Sequence, residues 1–179
     1  IIQPNESKYF EDFYRQYSAA NQRNGVSLYH AEDVMVQENY FGSMLVKNNL
    51  VDSFIAGPTL DYASNLMPIV NVLGTKDSSR SSGIYIMVFK NRVLFLTDCT
   101  SQINPSSEDL AEIAANSAEL FRFLMKREPR VSFLSFSNFG SNKHPEARKV
   151  RRAVPVTKSR YPNMIVDGEM QADVAVNKN

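Results

Sequence analysis

The sequence predicts an α/β fold, a three-layer sandwich of helices on a mixed, mostly parallel sheet. Strand-length apolar runs alternate with amphipathic helical patterns three times, one hairpin is inserted among them, and no repeat or low-complexity tract breaks the order. With 179 residues, 43% hydrophobic and 22% charged, the chain has the proportions of one globular domain with a real core. No linker marks a second domain, so residues 1–179 read as one unit.

Charge and composition exclude several classes. The 20 Lys and Arg balance 19 Asp and Glu, a net charge of +1, so no global field favours nucleic acid or a membrane surface. One cysteine makes no internal disulfide, and with two histidines it leaves too few soft ligands for structural zinc. A reducing cytoplasm fits this usage. No apolar stretch approaches the roughly 20 residues that span a bilayer, and Gln3, Pro4, Asn5 and Glu6 do not begin a signal peptide. The first residue is not Met, which suggests a piece of something longer.

Each element has its own signal. Tyr9, Phe10, Phe13, Tyr14 and Tyr17 fall at three- and four-residue spacings, so a helix from Asn5 to Gly25 gathers them on one stripe, which packs against the core in preference to docking a partner. Ser27 caps a second helix that carries Val34, Met35, Tyr40, Phe41, Met44 and Leu45 to about Asn48, with Gly42 marking a close contact or a break. Residues 51–57 read as a buried strand that turns through Gly57, Pro58 and Thr59 into a helix over 61–73. The polar run 75–83 is a loop, and residues 84–89 and 93–97 pair as a hairpin about Asn91. Ser106 and Asp109 form a capping box for a helix to about Lys126. A strand over 131–136, a loop over 137–143, a helix from Pro145 to about Arg160 and a strand over 164–166 follow. The run 167–170 then turns into a last short helix over 171–176.

Chemistry concentrates after the strand at 131–136, where the chain leaves a strand's carboxyl end and enters a helix. Open α/β sheets bind ligands at that corner. Gly140 lets backbone amides curl toward an anion, Ser137, Asn138 and Ser141 add polar side chains, and Lys143 adds charge. Phosphate or a phosphorylated carrier suits such a corner. A turn-forming loop with no ligand explains the same residues, and the spacing matches neither a Walker loop nor a dinucleotide fingerprint. Gly57 and Thr59 offer a second, weaker wall for the same crevice. Arg148, Arg151 and Arg152 share a helix face that reaches a phosphate or simply faces water, with Lys149 beside them.

No catalytic constellation emerges. Ser141, His144 and Asp167 supply the residue types of a triad without its spacing. Cys99 beside Asp98 reads as a buried thiol, since the carboxylate disfavours thiolate. His30 has no second ligand in reach along its helix, and Asp98 and Asp167 lack the further ligands of a metal site.

The segments LSFSNFGS (134–141), IVDGEMQADVAV (165–176) and FGSMLV (41–46) resemble the phosphate acetyl/butyryltransferase family, and the likeness runs over nearly the whole chain. More narrowly, Ser137-Asn138-Phe139-Gly140-Ser141 followed by Asp167-Gly168-Glu169-Met170 is similar to the version fused behind the catalytic part of large bacterial malic enzymes. Independent acetyltransferases of this kind carry a Thr-Lys-Gly-Ser type of loop, from which Asn138 and Phe139 depart.

The resemblance implies a fold like the isocitrate and isopropylmalate dehydrogenases, with this chain as mainly the inserted second subdomain. It also implies that the serine-arginine and aspartate serving acetyl transfer lie downstream of the Asp-Gly-Glu motif, so no residue here inherits a catalytic role. The first functional expectation is therefore a catalytically silent regulatory and oligomerisation domain. Its parent would turn malate into pyruvate and CO2 with NAD(P) and Mg or Mn held elsewhere, and acetyl-CoA would be its effector. The second is part of an active enzyme moving an acyl group between CoA and phosphate. The third is a dimerisation platform built on the hairpin over 84–97. The ligand contacts expected from both directions are Gly57, Thr59, Ser137, Asn138, Gly140, Ser141 and Lys143, with no metal site in the chain.

Overall fold

A computed structural model describes residues 2–57, 59–74, 83–98 and 103–177. The chain gathers into two compact units, residues 1–80 and 81–179. The division falls inside the polar run 75–83.

The first unit is helical. It contains α1 (Phe10–Asn21), α2 (Leu28–Met35), α3 (Glu38–Lys47) and α4 (Tyr62–Leu73). The aromatic stripe of α1 does face the core: Phe13 and Tyr17 are buried with Ala31, Val34, Met35, Phe41, Met44 and Val72, and Tyr9, Phe10 and Tyr14 pack at its edge. Gly25 ends this region in a left-handed conformation at φ 79°, as its position suggested. The expected long second helix is two, because Gln37 takes an extended conformation and starts α3 afresh. Gly42 marks a contact, not a break: the Phe54 ring stands where its Cβ would be.

Residues 51–57 form no strand. No neighbouring strand hydrogen-bonds to them among the described residues, Val51 and Ile55 face solvent, and Phe54 alone turns inward. Hydrophobicity without a pairing partner does not make a strand.

Pro68 inside α4 has no N–H to offer the Ser64 carbonyl one turn back. The buried Asn39 amide donates to that carbonyl at 3.2 Å and to Asn65 Oδ1 at 3.2 Å, which replaces the missing helix bond.

Burial and the neighbouring Tyr40 push the Tyr17 phenol up to about 12. The neutral phenol is the form the fold prefers, so stability is full below the ordinary tyrosine value and falls as pH rises through the folded one. A spectroscopic tyrosinate titration of the folded protein should show one tyrosine ionising about two pH units late, together with alkaline unfolding. Tyr17→Phe should remove the late step.

The second unit is α/β. It holds the hairpin β1 (Ile84–Val88) and β2 (Val93–Thr97), then α5 (Ser107–Met125), β3 (Arg130–Leu134), α6 (Pro145–Arg160), β4 (Ile165–Met170) and α7 (Ala172–Val176). The hairpin is antiparallel as expected, pairs Ile84 with Thr97 and Val88 with Val93, and is closed by Phe89 N–H to the Arg92 carbonyl at 2.8 Å. The Ser106 and Asp109 capping box is present.

Among the described residues the strands form two two-stranded sheets, one antiparallel and one parallel, where one mixed sheet was expected. β3 and β4 are parallel and joined through α6, and Ala114 of α5, Ala153 and Val154 of α6, Phe133 and Val166 make their core. The expected turn at 167–170 is strand instead, with a register shift opposite Phe133 and Leu134 and a cis Gly168–Glu169 peptide bond.

Candidate functional site

The parallel pairing brings the carboxyl ends of β3 and β4 to one edge of the sheet. The loop that leaves β3 is sewn to the end of β4 by the Ser135 amide to the Met170 carbonyl at 2.9 Å and the Phe139 amide to the Glu169 carbonyl at 2.8 Å. Asn138 adds its Oδ1 as acceptor for the Gln171 amide at 2.8 Å, and Gln171 Nε2 donates to the Phe136 carbonyl at 2.9 Å.

At the centre lies Glu169, which solvent does not reach. Its Oε1 accepts from the Gly140 amide and the Ser137 hydroxyl, both at 2.8 Å. Its Oε2 has no hydrogen-bond partner and faces Arg151 Nε at 3.8 Å. Burial alone raises such a carboxyl, but the Gly140 amide, the Ser137 hydroxyl and Arg151 together outweigh it and hold Glu169 below the usual carboxylate range. Glu169 is therefore a buried anion at neutral pH.

This arrangement corrects the reason for expecting an open anion cradle. The loop amides are already engaged by the chain itself. Gly140 donates to Glu169, Asn138 to Ser141 Oγ at 3.0 Å, Asn142 to Ser137 Oγ at 3.0 Å, and Ser141 to the Asn138 carbonyl at 3.0 Å. At the start of α6 the Glu146 amide donates to His144 Nδ1 at 3.2 Å, and the Glu146 side chain supplies the negative charge that a helix N-terminus attracts. A carboxylate from β4 sits where a phosphate was expected.

Phe139 and Gly140 both have positive φ, 48° and 89°, which makes residues 138–141 a tight turn of the hairpin type. Glycine tolerates this conformation and phenylalanine does not. Phe139 is also mostly exposed, so packing does not compensate. Phe139→Asn should raise the urea unfolding midpoint by an amount equivalent to about 0.5–1 kcal/mol.

The expected contacts divide between the two units. Ser137, Asn138, Gly140 and Ser141 belong to the network, with Ser137 buried and Ser141 exposed, and Lys143 is exposed at its edge. Gly57 and Thr59 belong to the first unit, both exposed, and the strand that was to aim them is absent. Two of the four cations expected as a cluster on α6 are paired with glutamates: Lys149 with Glu146 at 2.6 Å and Arg152 with Glu108 at 2.9 Å.

The triad types do not meet. His144 Nδ1 is occupied as a cap, and Asp167 accepts from the Gly168 amide. Cys99 lies outside the described residues. Burial pushes the neighbouring Asp98 carboxyl up, with Lys149 opposing. No group of three metal-ligating side chains occurs among the described residues.

Glu169 and Arg151 are what sequence reasoning missed as a pair. Glu169 sat in a presumed turn, and the alternation that would mark it as inward-facing is broken by the register shift beside it.

The parallel β3–α6–β4 unit, with its polar corner at the carboxyl edge, places the chain in the α/β class. The chain belongs to the phosphate acetyl/butaryl transferase family, whose model matches residues 1–179. It is 40% identical over 149 residues to a phosphate acetyltransferase of Bacillus subtilis, covering 81% of this chain and 45% of that protein. It is 30% identical over 178 residues to the NADP-dependent malic enzyme of Escherichia coli, covering 98% of this chain and 23% of that one. A phosphotransacetylase crystal structure from Streptococcus pyogenes superposes with a TM-score of 0.84 at 31% identity, over 98% of this chain and 54% of that chain. The chain thus spans about half or less of the relatives it matches. No helix among the described residues is long and apolar enough to cross a membrane.

Proposed function

We propose that the chain is part of a cytoplasmic phosphate acyltransferase, which moves an acyl group from acyl phosphate to the CoA thiol and releases inorganic phosphate. The observation that carries this reading is the full-length family match together with acetyltransferase relatives up to 40% identical. The reading includes a dehydrogenase-like three-layer sandwich for the complete protein, and side-chain contacts to acyl-CoA or phosphate from Asn138, Ser141 and Lys143, with the buried Ser137 and Gly140 shaping the loop. Gly57 and Thr59 remain candidates on the first unit. The loop supplies a rigid wall for positioning and for stabilising charge that develops on the acyl oxygen, and the groups that carry the transfer itself are not assigned to this chain.

A second reading is favoured by the malic enzyme relative and by the Asn138-Phe139 departure in the loop. In it the chain is a silent regulatory and oligomerisation domain that senses acetyl-CoA, and NAD(P) and a divalent metal act in another module.

The full-length protein, given acetyl phosphate and CoA, should form the thioester catalytically, read by thioester absorbance. Absence of turnover, with malate oxidation that acetyl-CoA modulates, would replace the first reading by the second.

A further inference from the structure

We propose that Arg151 is the group of this chain that receives a phosphate-type anion, and that Glu169 is the positioning residue that holds it ready. The proposal rests on the acyl-transfer reading for the source of the anion, an acyl phosphate or the phosphates of CoA, and on geometry for the receiver.

The amides of Asn138, Gly140, Ser141 and Asn142 each donate to a group of the chain and are not available. Among the α6 cations, Lys149 is tied to Glu146 and to Asn104 Oδ1 at 2.5 Å, and Arg152 to Glu108. Arg151 differs from both. Its guanidinium lies against Gly140, in the space a Cβ there would fill, and its side chain is 40% exposed. It makes no hydrogen bond among the described residues, and its nearest charge, Glu169 Oε2, stands at 3.8 Å, beyond hydrogen-bond reach.

Glu169 therefore attracts the guanidinium without occupying its donors. The orphaned, buried Oε2 also makes departure of Arg151 costly, because the carboxylate would lose its one facing cation. What results is a planar fork of N–H groups, held at the loop and open to solvent on one side. Such a fork matches phosphate oxygens two at a time, which an ammonium does not. Arg148, one turn earlier and exposed, adds positive charge on the same helix face. Gly140 is required because any side chain there displaces the guanidinium.

The test uses the full-length protein with Arg151→Gln, Arg151→Lys and Glu169→Gln. Arg151→Gln should raise KM for one phosphate-bearing substrate about 10- to 100-fold, with a smaller change in kcat, the loss expected for a charge-assisted bond. A shift in KM for acetyl phosphate places that substrate at Arg151, and a shift for CoA places its phosphates there. Arg151→Lys should recover part of the loss, and Glu169→Gln should raise the same KM by a smaller factor. Calorimetry with inorganic phosphate reads the receiver independently of turnover, and Arg151→Gln should weaken that binding at least about tenfold. Lost phosphate binding in a protein without acyl transfer would keep this proposal and discard the acyl-transfer reading. Both KM values and phosphate affinity unchanged in Arg151→Gln, or no phosphate binding by a wild-type protein that also lacks turnover, would overturn it. If Arg151→Gln does not fold, Arg151→Lys decides by the same readouts.

Discussion

Glu169→Ala should destabilise the second unit by about 3 kcal/mol, read as a fall in its urea unfolding midpoint. The substitution strips the Gly140 amide and the Ser137 hydroxyl of their shared acceptor and leaves Arg151 with no facing charge. Removing one member of a buried, hydrogen-bonded charge set costs far more than the net value of the set. Glu169→Gln keeps an acceptor for both donors and loses only the charge, so it should cost about 1–2 kcal/mol. The same group gives the acid limb of stability its sign. Because the folded carboxyl titrates below its ordinary value, its contribution is complete above the ordinary carboxylate range and is lost as pH falls through the lower, folded value. Acid unfolding of Glu169→Gln should lack that component.

Gly168→Ala should be as damaging, at about 3 kcal/mol or more, measured by the same unfolding curve. Gly168 has φ 133°, and a Cβ there would stand 2.7 Å from the Phe133 carbonyl oxygen and 3.1 Å from the Phe133 Cβ. Neither neighbour can give way cheaply, because Phe133 is buried in the sheet core and its backbone is paired in the parallel ladder. Since Gly168 immediately precedes Glu169, the strain should also disturb the carboxylate. Faster exchange of the Gly140 amide in Gly168→Ala than in wild type would show that coupling.

What the sequence made legible were the features with local causes. The α5 capping box, the Pro145 start of α6, the hairpin at Asn91 and the core-facing stripe of α1 each follow from side chains within a few residues of one another. What it hid depended on partners distant in the chain. Residues 51–57 have strand composition but no strand beside them among the described residues. The run 167–170 has turn composition but becomes strand because β3 lies alongside it. The candidate site divides the same way. The loop at 137–143 was found from its glycine, its hydroxyls and its place before a helix. Its occupant was not, because Glu169 reaches it from 29 residues beyond Gly140, and a glutamate in a polar tetrapeptide gives no sign of burial. Arg151 was visible only as one of four cations, and its place against Gly140 and the buried Glu169 is what singles it out.

Amide hydrogen exchange at Gly140, followed in the ligand-free protein and again with added inorganic phosphate, tests most directly whether the cradle is filled by the chain's own carboxylate. The account predicts a Gly140 amide that is protected before any anion is added and whose protection phosphate leaves unchanged. An amide that exchanges freely in the free protein and becomes protected only with phosphate would contradict it, since the cradle would then be empty until an anion from solution entered.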